Sequence, residues 1–317
     1  MIKKLLIYNS GGGIGDSIQL FPLILSLKNI FEKSEIYYLG AHENLYLGKL
    51  KEYNIRVKDL NLGVKYFGFR WWHLFVARKN FSKLGLDKFD LIIDCQSKLR
   101  NTIILKQIPS KTFYSSTFNY AFCARLEIPA RKFSSDLKKS KYDIKYIEKK
   151  YFDEASRLLP DKNYIGFSLT QGNVYRKKEW SLSKIIKLSQ EFVQNNKTPV
   201  FFIEKKYQEL KKEIKNSIPT ALFPEHETEL DSPALVTCLG KRLDFAISID
   251  NGIMHMLSLA KIPMVVLFGP TSSKKFSPNY KDIILLDSKK LKNTSDINSI
   301  NVEDVLRELK LHSSFLY

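Results

Sequence analysis

Four segments of the sequence carry residues that could do chemistry. The first is Ser10-Gly11-Gly12-Gly13-Ile14-Gly15-Asp16, placed directly after a short apolar run. Glycines let a chain turn sharply and let a ligand approach the backbone closely. A helix starting here would offer unpaired N–H groups to an anion. Gly11 and Gly13 have the spacing of a dinucleotide-binding turn, but Asp16 stands where the third glycine of G-x-G-x-x-G belongs. The Lys-Ser/Thr pair of a P-loop is absent as well. A carboxylate at this turn would repel a diphosphate. It could instead face a hydroxyl and take its proton, or it could only cap the helix; the local pattern admits both.

The second segment is Asp250-Asn251-Gly252-Ile253-Met254-His255, again after an apolar run. A strand end that leads into a helix is where α/β folds hold phosphate and ribose. Asp250, Asn251 and His255 supply polar groups and Gly252 permits close approach. The bland alternative for His255 is a satisfied, partly buried side chain. The third segment, Phe268-Gly269-Pro270-Thr271, ends the next apolar run, and Pro270 could be turn chemistry alone. The fourth is Arg176-Lys177-Lys178-Glu179-Trp180. Its cations could neutralise a diphosphate leaving group or form an ordinary solvated loop.

Alternating elements must position these residues. Lys4 to Tyr8, Ser34 to Leu39 and Asp90 to Asp94 read as strands, with a buried helix after Asp16 that uses Ile18, Phe21, Leu23, Ile24, Leu25 and Leu27. Strand, glycine turn, helix, strand is a βαβ unit and implies a parallel sheet. A second series contains strands at 165–169, 199–203, 245–249 and 263–268. Ser181 is placed to cap a helix to about Gln194, and a last helix runs from Val302 to Leu311. Two α/β domains are therefore expected, 1–155 and 156–317, with the boundary in the Lys- and Ser-rich stretch from about 134 to 160. No internal repeat of 20–50 residues is visible.

The 317 residues carry a net charge of +18. Residues 1–158 hold 28 Lys+Arg and 15 Asp+Glu, a net of +13, and the remainder holds 23 and 18, a net of +5. Such a balance favours an anionic partner, mainly on the first half, or else it only aids solubility. Cys95, Cys123 and Cys238 are scattered and odd in number, which suits reduced, partly buried thiols. The start of the chain lacks the pattern of a secretory signal, and no run approaches the ~20 apolar residues that span a bilayer. A cytoplasmic location is expected. Tyr66 to Arg78 is basic and aromatic: Phe67, Trp71, Leu74 and Phe75 would share one helical face, whereas Phe69 and Trp72 would not. Such a segment suits a membrane surface or an ordinary packed helix.

Taken in order, the motifs resemble the ADP-heptose:lipopolysaccharide heptosyltransferases, glycosyltransferase family 9. Gly15-Asp16 matches that family's glycine turn. Asp90-Leu-Ile-Ile-Asp94-Cys95-Gln96 matches its Asp-hydrophobic-Ile-Asp-x-Gln strand, and Lys178-Glu179-Trp180 its Lys-x-Trp element. Asp250 to His255 and Pro263 to Thr271 match its donor motif. The resemblance implies a GT-B fold of class α/β, two Rossmann-like domains facing across a cleft. The N-terminal domain would take an anionic glycolipid acceptor and the C-terminal domain an ADP-sugar donor. It also implies inverting transfer without a metal or cofactor, consistent with the lack of an Asp-x-Asp motif.

By the match, Asp16 would be the general base in a turn formed by Gly12, Gly13 and Gly15. Lys178 would contact the donor phosphates; Asp250, Asn251, Gly252 and His255 would hold the donor. Thr170 is a further phosphate candidate and Glu204 a ribose candidate. Lys98 and Arg100 are candidates for the acceptor. Asn251 departs from the family's Thr or Ser, turning a hydroxyl contact into an amide contact. The expected setting is peripheral, on the inner face of the cytoplasmic membrane. A rival of another class, suggested by charge alone, is a non-catalytic nucleic-acid-binding protein, although no nucleic-acid-binding motif is present.

Overall fold

Leu5 to Asn9 are all buried, and Lys4–Asn9 forms strand β1. A run buried on both faces suits the centre of a parallel sheet. β1 pairs in parallel with β2 (Glu35–Gly40) on one side and β4 (Phe89–Asp94) on the other. β3 (Lys58–Asp59) and β5 (Ser110–Ser115) complete the sheet, in the order β3-β2-β1-β4-β5. The order reverses between β1 and β4, so the loops after these strands frame the crevice where α/β folds hold ligands.

This computed structural model describes residues 2–96, 98–115, 137, 139–168, 170 and 174–312. Cys123, Leu169 and Gln171 to Asn173 lie outside the described residues. Cys95 and Cys238 are not in disulfides, and burial pushes the Cys238 thiol up to about 12.

The second sheet holds β6 (Tyr164–Ser168), β7 (Thr198–Phe202), β8 (Leu243–Ile249), β9 (Met264–Phe268) and β10 (Ile283–Asp287) in the order β10-β9-β8-β6-β7. All its pairings are parallel. Its order reverses between β6 and β8. Helix Leu182–Gln194 covers it with Ile185, Leu188 and Phe192, spaced three and four apart, packed with Phe167, Phe201 and Phe245.

The chain divides into two units between Asp143 and Ile144, inside the expected stretch of about 134 to 160 and ahead of the division drawn after 155. Residue 155 lies inside helix Lys149–Leu158, which buries Tyr151 and Ala155 and packs on helix Pro233–Gly240 of the second unit. The single helix expected after Asp16 is two, Ile14–Ile18 and Phe21–Ile30. Pro22 has no N–H to donate to the Ile18 carbonyl, so the ladder breaks there. Ser181 does precede Leu182, but its hydroxyl bonds Ser183 Oγ and no helix N–H. The single apolar face expected over 67–75 is absent as well. The helix starts only at His73, Phe67 is buried in the core, and Trp71 and Phe75 are exposed. Among the described residues no helix is long and apolar enough to cross a membrane.

Candidate active site

In the second unit the chemistry gathers at the C-terminal ends of β6 and β8. β8 delivers Asp250 and Asn251, and helix Gly252–Leu259 starts at once. Asn251 is its N-cap: Oδ1 accepts from the Met254 N–H at 2.9 Å. The other end of the carboxamide donates to Ser168 Oγ at 2.5 Å and to the Thr170 carbonyl at 2.9 Å. One side chain thus ties the helix start to the loop after β6.

Lys178 reaches the same place. Its Nζ donates to Asp250 Oδ2 at 2.6 Å and to the Asp250 carbonyl at 3.0 Å, and both side chains are nearly buried. Two features aim it. Lys177 holds a left-handed backbone, φ 46°, which an L-residue adopts at a cost. Trp180 is buried and donates from Nε1 to the Ile300 carbonyl at 2.9 Å, anchoring the segment in the core. Burial holds the His255 imidazole neutral, its pKa brought down to about 4; Asp250 opposes this and Lys178 reinforces it. The cluster sets the Lys178–Asp250 ion pair and a neutral imidazole beside the positive end of a helix.

In the first unit, the loop after β1 holds Asp16 at the third position of helix Ile14–Ile18. Its Oδ2 accepts from the Gly13 N–H at 3.3 Å. Gly12 packs so closely on His42 that a Cβ there would lie 2.5 Å from the ring. Gln96, after β4, bridges to this loop: Nε2 donates to Asn9 Oδ1 at 2.6 Å, and Oε1 accepts from Ser10 Oγ at 2.7 Å. Below it Asp94 is buried. Its carboxylate accepts from Thr102 Oγ1 at 2.5 Å, Ser115 Oγ at 2.8 Å and the Gln96 N–H at 2.9 Å. Burial pushes its pKa up, and these hydrogen bonds pull it back. Its geometry is that of a brace for the crevice walls.

Of the expected donor residues, Thr170, Lys178, Asp250, Asn251, Gly252 and His255 come together. Glu204 does not join them. It sits exposed after β7, two strands from β8, and pairs with Lys206 at 2.7 Å. Lys98 is exposed at the start of helix Leu99–Leu105. Arg100 Nε donates to the Gly68 carbonyl at 3.0 Å, so part of its guanidinium serves the backbone. The sequence reading missed Ser168, Thr102 and Ser115. A polar residue ending a buried strand, as Ser168 and Ser115 do, was the available signal. Among the described residues no cluster of three His, Cys, Asp or Glu side chains could hold a metal ion.

The fold has clear relatives. A glycosyltransferase family 9 protein from Veillonella parvula DSM 2008 superposes with a TM-score of 0.68 at 18% identity, over 99% of this chain and 97% of that one. E. coli ADP-heptose lps heptosyltransferase II gives 0.63 at 15% identity, over 99% of each chain. E. coli heptosyltransferase WaaC with ADP gives 0.64 at 12% identity, again over 99% of each. No curated protein matches in sequence. The profile of glycosyltransferase family 9 (heptosyltransferase) matches residues 115–304, more than half of the chain. With two parallel α/β units in the GT-B manner and that match, the chain belongs to glycosyltransferase family 9 and is a glycosyltransferase.

Proposed function

We propose that this enzyme moves a heptose from an ADP-heptose donor to an anionic acceptor of the lipopolysaccharide-core type, with inversion and without a metal or cofactor. The second unit takes the donor and the first unit the acceptor. The carrying observation is the Lys178–Asp250 pair beside the Asn251-capped helix start. A cation and a row of N–H groups at one crevice suit a diphosphate leaving group. A relative of the same fold was solved with ADP.

In the step proposed, Asp16 takes the acceptor hydroxyl proton as that oxygen bonds the anomeric carbon. The bond from that carbon to the diphosphate oxygen breaks, and ADP leaves with the electron pair. Lys178 and the helix start at Gly252 meet its charge. The +13 of the first half, with Lys98 and Arg100 near the acceptor, favours an anionic glycolipid at the cytoplasmic face of a membrane. An enzyme family displaces the non-catalytic nucleic-acid reading. The test is a turnover screen across ADP-, UDP- and GDP-sugars with extracted core glycolipid, with EDTA present. ADP-heptose should give the product with inverted anomeric configuration. Transfer from UDP-sugars alone would overturn the donor assignment.

A further inference from the structure

We infer that the turn and helix from Arg70 to Lys83 form a docking face for an anionic bilayer surface. Three large aromatic residues stand side by side in water there: Trp71, Trp72 and Phe75 are 56%, 54% and 78% exposed. Backbone bonds from Leu74 to Trp71 and from Phe75 to Trp72 continue the helical turn upstream of His73. His73, Ala77 and Phe81 face inward at four-residue spacing. At 3.6 residues per turn the opposite arc carries Trp71, Trp72 and Phe75, followed by Arg78, Lys79 and Lys83, all exposed.

The exposure is built and not incidental. The Tyr8 hydroxyl donates to the Phe67 carbonyl at 2.6 Å, and the Gly68 N–H donates to His73 Nδ1 at 3.0 Å. With Arg100 on the Gly68 carbonyl, this fixes the turn that presents the tryptophans. Tryptophan has an apolar body and a polar N–H and favours the membrane–water boundary. The charge completes the match. From residue 60 to residue 86 there is no Asp or Glu, while Lys65, Arg70, Arg78, Lys79 and Lys83 are basic. Anionic headgroups satisfy such a surface. A second copy of the chain does not, since a two-fold contact would set the basic face against itself.

The face also adjoins the glycine turn. Tyr66 packs edge-on against His42 with ring centroids 4.2 Å apart, and His42 abuts Gly12. Docking would therefore bring that turn toward the headgroup layer. This deepens the proposed function by naming the surface that meets the acceptor's membrane, and its test stands apart from catalysis.

The experiment uses the full chain with vesicles of equal parts phosphatidylglycerol and phosphatidylethanolamine, or of phosphatidylcholine alone. Sedimentation with the anionic vesicles only is expected, with loss at high salt. Acyl-brominated anionic lipid should quench tryptophan fluorescence, leaving a residue from Trp180, which is buried. Trp71→Ser/Trp72→Ser/Phe75→Ser should weaken vesicle binding by tenfold or more at unchanged melting temperature. Should that variant fail to fold, Arg78→Gln/Lys79→Gln carries the test, with about a fivefold loss per charge removed. Absent or equal binding to both vesicle types, bound protein without quenching, or variants that bind like wild type would each overturn the inference. So would a triple variant that turns a dimer into a monomer, because a second copy would then cover the face. With a deacylated, water-soluble acceptor the triple variant should match the wild-type kcat and KM; a raised KM there would assign the face to the acceptor and overturn the docking role. Failure of all sugar transfer would sink the transferase proposal and leave the vesicle result standing.

Discussion

Lys178 and Asp250 form a nearly buried ion pair in which one ammonium group holds both the side chain and the backbone of its partner, at 2.6 and 3.0 Å. Removing one partner of such a pair strands a charge, at a cost of roughly 3–5 kcal/mol. Lys178→Ala should therefore lose stability of that order as well as ADP affinity. Lys178→Ala/Asp250→Ala should recover much of the stability and none of the affinity. Urea unfolding and calorimetry with ADP check this. A double variant that binds ADP like wild type would show that the pair only supports the fold.

Asp16 separates a kinetic role from a capping role. Asp16→Asn keeps an oxygen to accept from the Gly13 N–H. It should lower kcat by about 10²–10⁴, the usual worth of a positioned base, at near-normal ADP affinity and melting temperature. Asp16→Ala should in addition lose ~1 kcal/mol of stability. An Asp16→Asn enzyme with near-normal kcat would end the general-base assignment.

His255 should give the fold a pH dependence. Its pKa is depressed by burial to about 4, below the ~6.5 of an unfolded imidazole. The native state then binds fewer protons than the unfolded state, so the stability is whole above pH ~6.5 and is lost as pH falls toward 4. The excess loss is roughly 3 kcal/mol from the size of the shift. His255→Gln should lose this component, seen as a shallower fall in urea-unfolding free energy from pH 7 to 4. Equal slopes in the two proteins would contradict the buried neutral imidazole.

Asn251 performs two tasks that a conservative change can divide. Asn251→Ser keeps a helix cap of similar quality but cannot also reach Ser168 and Thr170. Stability should fall by less than about 1 kcal/mol while the donor KM rises. Asn251→Ala should lose the cap too, a further ~1 kcal/mol. Steady-state kinetics on the serine variant decide whether the tether matters to donor binding.

Gly68 lies at φ 87°, and a Cβ there would sit 2.3 Å from the Tyr8 hydroxyl. Gly68→Ala combines a left-handed backbone with that collision. It should cost more than ~1 kcal/mol and loosen the turn before Trp71. Thermal melting and the protease sensitivity of the Trp71–Trp72 region would show both.

The sequence made the buried parallel strands legible wherever an apolar run ended in glycine or aspartate, as at Tyr8 and Ile249. It hid β5, whose Ser110-Lys-Thr-Phe-Tyr-Ser115 has no apolar run, and β3, only two exposed residues long. β10 is the exception to that rule: its Ile283-Ile-Leu-Leu286 run ends in Asp287, but the residues after it, Ser288-Lys-Lys-Leu291, carry no glycine turn or chemical motif to mark a strand end. Within the site, the meeting of Lys178 with Asp250 spans 72 positions and could be named only through family resemblance. The double duty of Asn251 depends on where the loop after β6 passes, which no local pattern encodes.

Leu5 pairs with Leu91, so the central strand of the first sheet must wait for a partner that follows β2 and β3 in the chain. Pairings of such long sequence separation are slow, because loop closure must precede the contacts that reward it. During synthesis, Leu5 to Tyr8 keep one bare, apolar edge until Phe89 to Asp94 emerge. A nascent chain stalled before Phe89 would expose that edge and pair with a neighbour of its own kind.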